Sequence, residues 1–160
     1  MKPQVNCILV IDDDEPTNFF TRMILEESGC TRHIKIVQSG QEALDYLSNS
    51  AQPGCDENRY PCPDLILLDI NMPAMNGWEF LEEYKKMNKD HHTKIMTVML
   101  TTSLFPEDKV RAKEIPEISG FENKPLTIEK LENILEKHFV NNDTDKLLSG
   151  DEVHSGKAAA

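Results

Sequence analysis

The hydrophobic residues of the chain fall into short continuous runs, separated by segments in which apolar positions recur with helical spacing. A short run that is apolar at nearly every position is typical of a strand buried on both faces of a parallel sheet. Parallel strands need long crossover connections, so the intervening segments are expected to form helices. The runs predict five strands, at residues 5–11, 33–37, 64–69, 95–100 and 118–121.

The intervening segments carry signals for the starts and ends of helices. Asp14-Glu15-Pro16 predicts the start of the first helix, since Pro suits a first turn, and Ser28-Gly29 predicts its end. Ser39 and Glu42 stand three residues apart and predict a capping box at the start of the second helix. Further helices are predicted at residues 76–88, 106–113 and 127–139. The apolar stripe of the first helix is formed by Phe19, Phe20, Met23 and Ile24.

Two aromatic residues of the third predicted helix are candidates for either a core or a cofactor site. Trp78 and Tyr84 recur at helical spacing, which predicts Trp78 in the core and Tyr84 on the helix surface. A cofactor site is not indicated by these two residues alone.

Five strands that alternate with five helices predict an α/β fold, with helices on both faces of a parallel sheet. Right-handed crossovers leave few topologies, and the flavodoxin-like strand order 2-1-3-4-5 is the natural one. The polar, turn-rich segment 49–63 is expected to be a surface loop, longer than usual. We expect one domain at residues 1–140 and a disordered polar tail at 141–160, whose removal leaves the fold intact.

Composition narrows the possible functions. The net charge of −11 argues against direct contact with nucleic-acid phosphates, which bind basic surfaces. No apolar run approaches the roughly 18 residues of a membrane span, and the short apolar run near the N-terminus lacks a cleavage signal. We therefore expect a cytoplasmic protein without membrane insertion. The spacing of the cysteines indicates neither a zinc site nor a disulfide at Cys7, Cys30, Cys55 and Cys62.

Polar side chains follow the predicted strands at the points where the strands end. Asp12 and Asp13 follow the first strand, Asp69 ends the third, Thr101 follows the fourth and Lys124 follows the fifth. The carboxyl ends of parallel strands share one edge of the sheet, so these side chains are expected to meet there. Clustered carboxylates favour a hard divalent cation such as Mg²⁺. Together with an ammonium and a hydroxyl group, they predict a site for phosphoryl transfer.

Four segments of the chain resemble the characteristic segments of response-regulator receiver domains. They stand in the family's order, and the resemblance spans residues 5–139. The four segments are ILVIDDD at 8–14, LLDINMPAMNG at 67–77, MLTTS at 99–103 and GFENKP at 120–125.

The resemblance implies a role for each residue of the site. Asp69 is the phosphoacceptor, and Asp13 and Asp69 bind Mg²⁺ directly, with Asp12 helping through water and the backbone carbonyl of Asn71 as the third protein ligand. Lys124 pairs with the acceptor carboxylate and later with the phosphoryl group, and its peptide bond to Pro125 is cis in the family.

The resemblance also implies a switch. Thr101 turns inward to hydrogen-bond the phosphoryl group, and Phe121 stands where the family often carries a switching Tyr. Phe121 lacks the hydroxyl group of Tyr, which predicts weaker coupling. Thr102 stands where a smaller residue is common, and its bulk is expected to slow access of the phosphodonor.

Each of these residues, taken alone, also fits a structural role. Asp12 and Asp13 fit a pair of charges at a helix N-terminus, and Asp69 fits a turn cap. Lys124 fits a solvated surface residue and Phe121 a simple core residue. His91-His92 fits a solvated loop better than a metal site. These alternatives do not explain why the polar residues all fall at one edge of the sheet.

The sequence leaves three functional hypotheses. The first is a stand-alone receiver domain that takes phosphate from a histidine kinase or a histidine phosphotransfer protein, and that acts through an unknown downstream protein. Such a module is not a conventional enzyme, although it assists its own phosphorylation and dephosphorylation. The second is a Mg²⁺-dependent phosphohydrolase with an Asp nucleophile, but this class has a second Asp where Asn71 stands. The third is a scaffold that no longer takes phosphate.

Overall fold

The computed structural model describes residues 5–87 and 95–140, with the exception of the side chain of Val140. The strands are β1 (Val5–Ile11), β2 (Thr31–Val37), β3 (Leu65–Leu68), β4 (Met96–Thr101) and β5 (Gly120–Asn123). The helices are α1 (Glu15–Ser28), α2 (Gly40–Ser50), α3 (Gly77–Lys85), α4 (Pro106–Glu114) and α5 (Ile128–Leu135). A π-helical turn at Glu136–Val140 continues α5.

The five strands form one parallel sheet in the order β2-β1-β3-β4-β5, which confirms the predicted flavodoxin-like topology. The register aligns the ends of the central strands: Ile11 pairs with Leu68, and Leu68 pairs with Met99. The residues that follow β1 and β3 therefore reach the same edge of the sheet at the same level.

The core has two layers because alternate residues of each strand point to opposite faces of the sheet. Leu9 and Ile11 of β1 pack with α2 and α3 on one face. Ile8 and Val10 pack with α1 and α5 on the other face. Both sets are fully or almost fully buried, as the continuous apolar sequence of β1 predicts.

The buried face of α1 differs from the predicted apolar stripe. Asn18, Thr21 and Leu25 are the buried residues, at the spacing of one helix face. Phe19 and Met23 are 69% and 50% exposed, and Phe20 is 44% exposed. The spacing of these apolar residues correctly predicted a helix, but α1 turns a polar Asn towards the end of β1, and this orientation leaves most of the apolar stripe in solvent.

The start of α2 contains half of the predicted capping box. Ser39 Oγ accepts a hydrogen bond from the Glu42 backbone N–H, but Glu42 Oε2 accepts from the N–H of Gln38, one residue before the N-cap. A complete capping box occurs instead at α3, between Asn76 and Glu79. Both arrangements satisfy backbone donors that a helix N-terminus leaves free.

Several predicted boundaries shift in the structure. β2 begins at Thr31 rather than at residue 33, and β5 lies at Gly120–Asn123 rather than at 118–121. Pairing decides the second shift, since the described partners of β5 on β4 run from Val98 to Thr101. The third helix runs from Gly77 to Lys85 with Lys86 as its C-cap, so it begins one residue later and ends three residues earlier than the predicted 76–88.

Tyr84 was predicted on the helix surface and is instead 1% exposed. Its ring stacks on that of Phe80, with ring centroids 5.6 Å apart. Trp78 is buried, as predicted.

The segment after α2 is a loop that is anchored to this helix. The Tyr46 hydroxyl donates a hydrogen bond to the Pro61 carbonyl, 2.5 Å away, and its ring contacts Tyr60 edge-on. The predicted tail at 141–160 and His91-His92 lie outside the described residues. Within the described part of the chain, no helix has the length and apolar character needed to cross a membrane.

Candidate functional site

The turn after β1 holds the first two carboxylates. Asp12 is 3% exposed, and its Oδ1 accepts a hydrogen bond from the Asp14 backbone N–H at 3.0 Å. From α1, the Asn18 side-chain amide donates to the Asp12 backbone carbonyl at 2.8 Å. Asp14 then caps α1 by accepting from the Thr17 backbone N–H. The turn is therefore held from both sides, and Asp13 is left exposed at the edge of the sheet.

Asp69 follows β3 and is 6% exposed. Its backbone N–H donates to the Ile11 carbonyl at 2.9 Å, which ties it to the end of β1. The start of α3 lies directly against it: Gly77 N–H donates to the Ile70 carbonyl at 2.7 Å. A Cβ atom at Gly77 would lie 2.5 Å from the Asp69 carbonyl oxygen, so this approach requires glycine.

Ala74, in the loop that joins Asp69 to α3, has a φ angle of 64°. Side-chain-bearing residues rarely adopt this left-handed conformation, and backbone of this kind is often found at functional sites. No pattern in the sequence predicted it.

Carboxylate oxygens of Asp12, Asp13 and Asp69 lie within 4.8 Å of one another. A single cation can contact oxygens at this spacing, and oxygen ligands of this charge suit Mg²⁺ or a similar divalent ion. The donor set of this edge therefore fits a divalent metal, and the structure brings together the three carboxylates that the sequence predicted.

Lys124 connects two of these carboxylates. Its Nζ lies 2.6 Å from Asp12 Oδ2 and 3.1 Å from Asp69 Oδ1, and its side chain is 10% exposed. Its backbone N–H donates to the Thr101 carbonyl at 2.7 Å, which fixes it to the end of β4. The Lys124–Pro125 peptide bond is cis, as the resemblance implied. Lys124 is not a solvated surface residue, and its shorter ion pair is with Asp12 rather than with Asp69.

Burial and charge act on Asp69 and Lys124. Burial raises the pKa of Asp69 and the neighbouring Asp12 raises it further, while Lys124 and the backbone N–H of Asn71 oppose both. For Lys124, burial favours the neutral form, but the contacts with Asp12 and Asp69 prevail and raise its pKa. The result is a cationic amine beside a buried carboxylate that binds protons more readily than usual.

The two predicted switch residues lie near this edge. Thr101 is fully buried, and its Oγ1 accepts a hydrogen bond from the Ser103 backbone N–H at 3.0 Å. Phe121 is half-buried against the core layer that contains α2 and α3. Thr102 is exposed and lines a groove together with Lys124.

Asn18 belongs to this site but was not predicted from the sequence. Its position on α1 is in helical phase with the buried Thr21 and Leu25, which is the signal that could have placed it on the inner face. Nothing in the sequence indicates that its amide bonds the carbonyl of Asp12.

Comparison with known proteins identifies the family. A family model described as the response regulator receiver domain matches residues 8–136. The chain belongs to this family. Response regulator Rcp1 of Synechocystis is 34% identical to it over 108 residues, which cover 68% of this chain and 69% of that protein.

Solved structures agree with this assignment. A two-component response regulator from Cytophaga hutchinsonii superposes with a TM-score of 0.75 at 30% identity, covering 84% of this chain and 96% of that one. The Mn²⁺-bound form of Rcp1 gives a TM-score of 0.62 at 28% identity, covering 83% and 91%. A probable cyclic di-GMP phosphodiesterase of Vibrio cholerae is 29% identical over 92% of this chain, which spans only 30% of that protein.

The family match, the strand order and the acidic edge of the sheet all indicate the same class of protein. This receiver domain is a phosphoacceptor module of two-component signalling and not a conventional enzyme. The comparisons support the receiver-domain function, and they do not favour the phosphohydrolase alternative over it.

Proposed function

We propose that this receiver domain accepts a phosphoryl group on Asp69, and that Mg²⁺ held by Asp12, Asp13, Asp69 and the backbone carbonyl of Asn71 assists the transfer. The observation that carries the proposal is the contact of Lys124 Nζ with both Asp12 and Asp69, within a cluster of three carboxylates. The donor we propose is a histidine kinase or a histidine phosphotransfer protein.

The chemistry follows from these residues. An Asp69 carboxylate oxygen attacks phosphorus, the bond from phosphorus to the donor histidine breaks, and its electron pair returns to the imidazole nitrogen. Lys124 stays cationic, because its pKa is raised, and neutralises charge on the phosphoryl oxygens. A bound divalent metal would supply further positive charge to the same oxygens. These residues would also assist the later hydrolysis of the acyl phosphate.

Signal output, in this proposal, begins at Thr101. The phosphoryl group adds charge and acceptor oxygens, and the Thr101 hydroxyl leaves Ser103 to donate to one of them. Phe121 then turns inward and changes the surface formed by α4, β5 and α5, where a downstream protein binds. The process is a shift between two packings. Because Phe121 lacks a hydroxyl group, the active packing loses about one hydrogen bond, or about 1 kcal/mol.

Phosphorylation of purified variants tests the acceptor. Wild type incubated with acetyl phosphate and Mg²⁺ should gain one acid-labile phosphoryl group, and Asp69→Ala should gain none. Asp64→Asn is the matched control, because Asp64 lies at the opposite end of β3 and binds the Asn6 backbone N–H, a contact that Asn can keep. Acid-stable label on Ser or Thr in Asp69→Ala would contradict the assignment.

Metal binding is tested at the same edge. Trp78 is the single tryptophan and follows Gly77 directly after residues 70–76, the acceptor loop, so its fluorescence can report a Mg²⁺ titration. Asp13→Asn should weaken binding about tenfold or more, because it removes a charged ligand. Asp14→Asn is the control, since Asn caps a helix as well as Asp. Equal affinity in Asp13→Asn and wild type would show that the metal site is misplaced.

A further inference from the structure

A cation–π contact joins α4 to α3 at Trp78, in the first turn of α3. The guanidinium carbon of Arg111, on α4, lies 4.4 Å from the centroid of the Trp78 ring, on α3. This distance is well within the range at which a cation is attracted to an aromatic face. Trp78 is 7% exposed whereas Arg111 is exposed, so the guanidinium covers a buried ring from the solvent side.

The helix that carries Arg111 is held by few other contacts. Within α4, which the structure describes in full, Ala112 is the buried residue. The N-cap residue Phe105 offers no side-chain hydrogen bond, and Val110 is 56% exposed. Ser103 Oγ donates to Asp108 near the start of the helix. A helix with so few contacts can change position at little cost, and the stacking of Arg111 on Trp78 is one of the contacts that hold it.

Trp78 is rigidly connected to the acceptor. It directly follows Gly77, whose N–H bonds the Ile70 carbonyl and whose Cα has no room for a substituent against the Asp69 carbonyl and Ile70 Cα. A displacement of the backbone after Asp69 must therefore move the first turn of α3. The Trp78 ring moves with that turn, and the guanidinium stacked on it is displaced in the same direction.

We propose that Arg111 is a positioning residue that couples α4 to the acceptor loop through Trp78. This route runs through α3 and is separate from the route through Thr101 and Phe121. It rests on the proposed function, since it describes how the state of Asp69 reaches the surface. Because Phe121 lacks the hydroxyl group of Tyr, the route through Thr101 and Phe121 is expected to be weaker. The contact of Arg111 with Trp78 provides a second connection between Asp69 and α4.

Amide NMR of four proteins tests the proposal: wild type, Arg111→Gln, Arg111→Lys and Lys113→Gln. Gln removes the cation and keeps most of the aliphatic stem, and Lys restores a cation. Lys113→Gln removes the same charge from the same last turn of α4 and keeps the cation–π contact, which Arg111 makes. Each protein is measured free and with Mg²⁺ and beryllofluoride, an acyl-phosphate analogue. Melting temperature and far-UV circular dichroism confirm that each variant is folded.

In the free proteins, Arg111→Gln should shift the amide signals of residues 70–78, and Lys113→Gln should leave them unchanged. With beryllofluoride, the response of residues 106–114 should fall about threefold in Arg111→Gln. The response at Asp69 to Asn71 should stay as in wild type, and Arg111→Lys should recover most of the α4 response.

A full α4 response in Arg111→Gln, or unshifted signals at 70–78 in the free protein, would overturn the coupling. A wild type with no beryllofluoride response at Asp69 to Asn71 would instead contradict the proposed function. The comparison of the free proteins would still decide whether Arg111 and the acceptor loop are coupled.

Discussion

Replacement of Gly77 by Ala tests how rigidly α3 is held against Asp69, the proposed acceptor. Gly77 is the first residue of α3, and its added Cβ would lie 2.5 Å from the Asp69 carbonyl oxygen and 3.0 Å from Ile70 Cα. Both neighbours are backbone atoms, which cannot rotate away as the end of a side chain can. Either the helix start or the acceptor backbone must therefore move.

The cost can be worked out from these contacts. Overpacking against backbone costs about 3 kcal/mol, the upper end of the usual range. Separation of Gly77 from Ile70 loses a hydrogen bond worth about 1 kcal/mol net. The higher helix propensity of Ala returns about 1 kcal/mol. The free energy of unfolding should therefore fall by about 3 kcal/mol, which lowers the melting temperature by about 9 °C for a domain of this size.

Gly40→Ala provides a matched control. Gly40 is likewise the first residue of its helix, and its added Cβ would meet Met75 Sδ at 2.5 Å, Cγ at 2.9 Å and Cβ at 3.2 Å. All three atoms belong to a flexible side chain rather than to backbone, so Gly40→Ala should cost less than Gly77→Ala, about 1 kcal/mol.

Urea unfolding of both variants, followed by far-UV circular dichroism, gives the comparison. Gly77→Ala should also bind Mg²⁺ more weakly than Gly40→Ala, since the displaced backbone carries Asp69. Equal stability of the two variants would refute the argument that α3 and the acceptor backbone form one rigid unit.

Three further predictions follow from burial and charge. The pKa of Asp69 is higher in the folded protein than its ordinary value of 3.8, so its charged form opposes folding. Without metal, Asp69→Asn should therefore unfold at higher urea concentration than wild type at pH 7.5, and the difference should shrink as pH falls through the raised pKa towards 3.8. Cys7 is fully buried and its thiol pKa is raised to about 11, so at pH 8 Ellman's reagent should modify the exposed Cys62 and leave Cys7 unmodified until the protein unfolds. Phe19→Ser should change the free energy of unfolding by under about 0.5 kcal/mol, because Phe19 is largely solvent-exposed, whereas Leu25→Ala on the same helix should cost about 3 kcal/mol.

The sequence predicted the site better than it predicted the helix faces. Asp12, Asp69 and Lys124 could be brought together from the sequence, because parallel topology alone brings strand ends to one edge of the sheet. The buried face of α1 could not be predicted in this way. Asn18 is buried and donates a hydrogen bond to the Asp12 carbonyl, whereas Phe19 lies in solvent. The pattern of hydrophobic residues along the chain does not indicate a hydrogen bond of this kind.

Contacts between side chains far apart in the sequence were also beyond prediction. The stacking of Arg111 on Trp78 depends on the relative positions of two helices, which no local pattern specifies. The end of β5 depends on which residues of β4 offer free backbone groups. The capping box at Asn76 was visible as an Asn followed three residues later by Glu, and could have been recognised.

The ion pair between Lys124 and Asp12 joins residues 112 positions apart in the chain. Local helices and hairpin-like contacts form early in folding, whereas contacts across such a separation form only once most of the sheet is assembled. A nascent chain or a fragment that ends before β5 thus has the Asp69 carboxylate without the amine of Lys124. If Asp69 accepts the phosphoryl group as proposed, phosphorylation is restricted to molecules in which β5 has joined the sheet, and partly unfolded copies remain unphosphorylated.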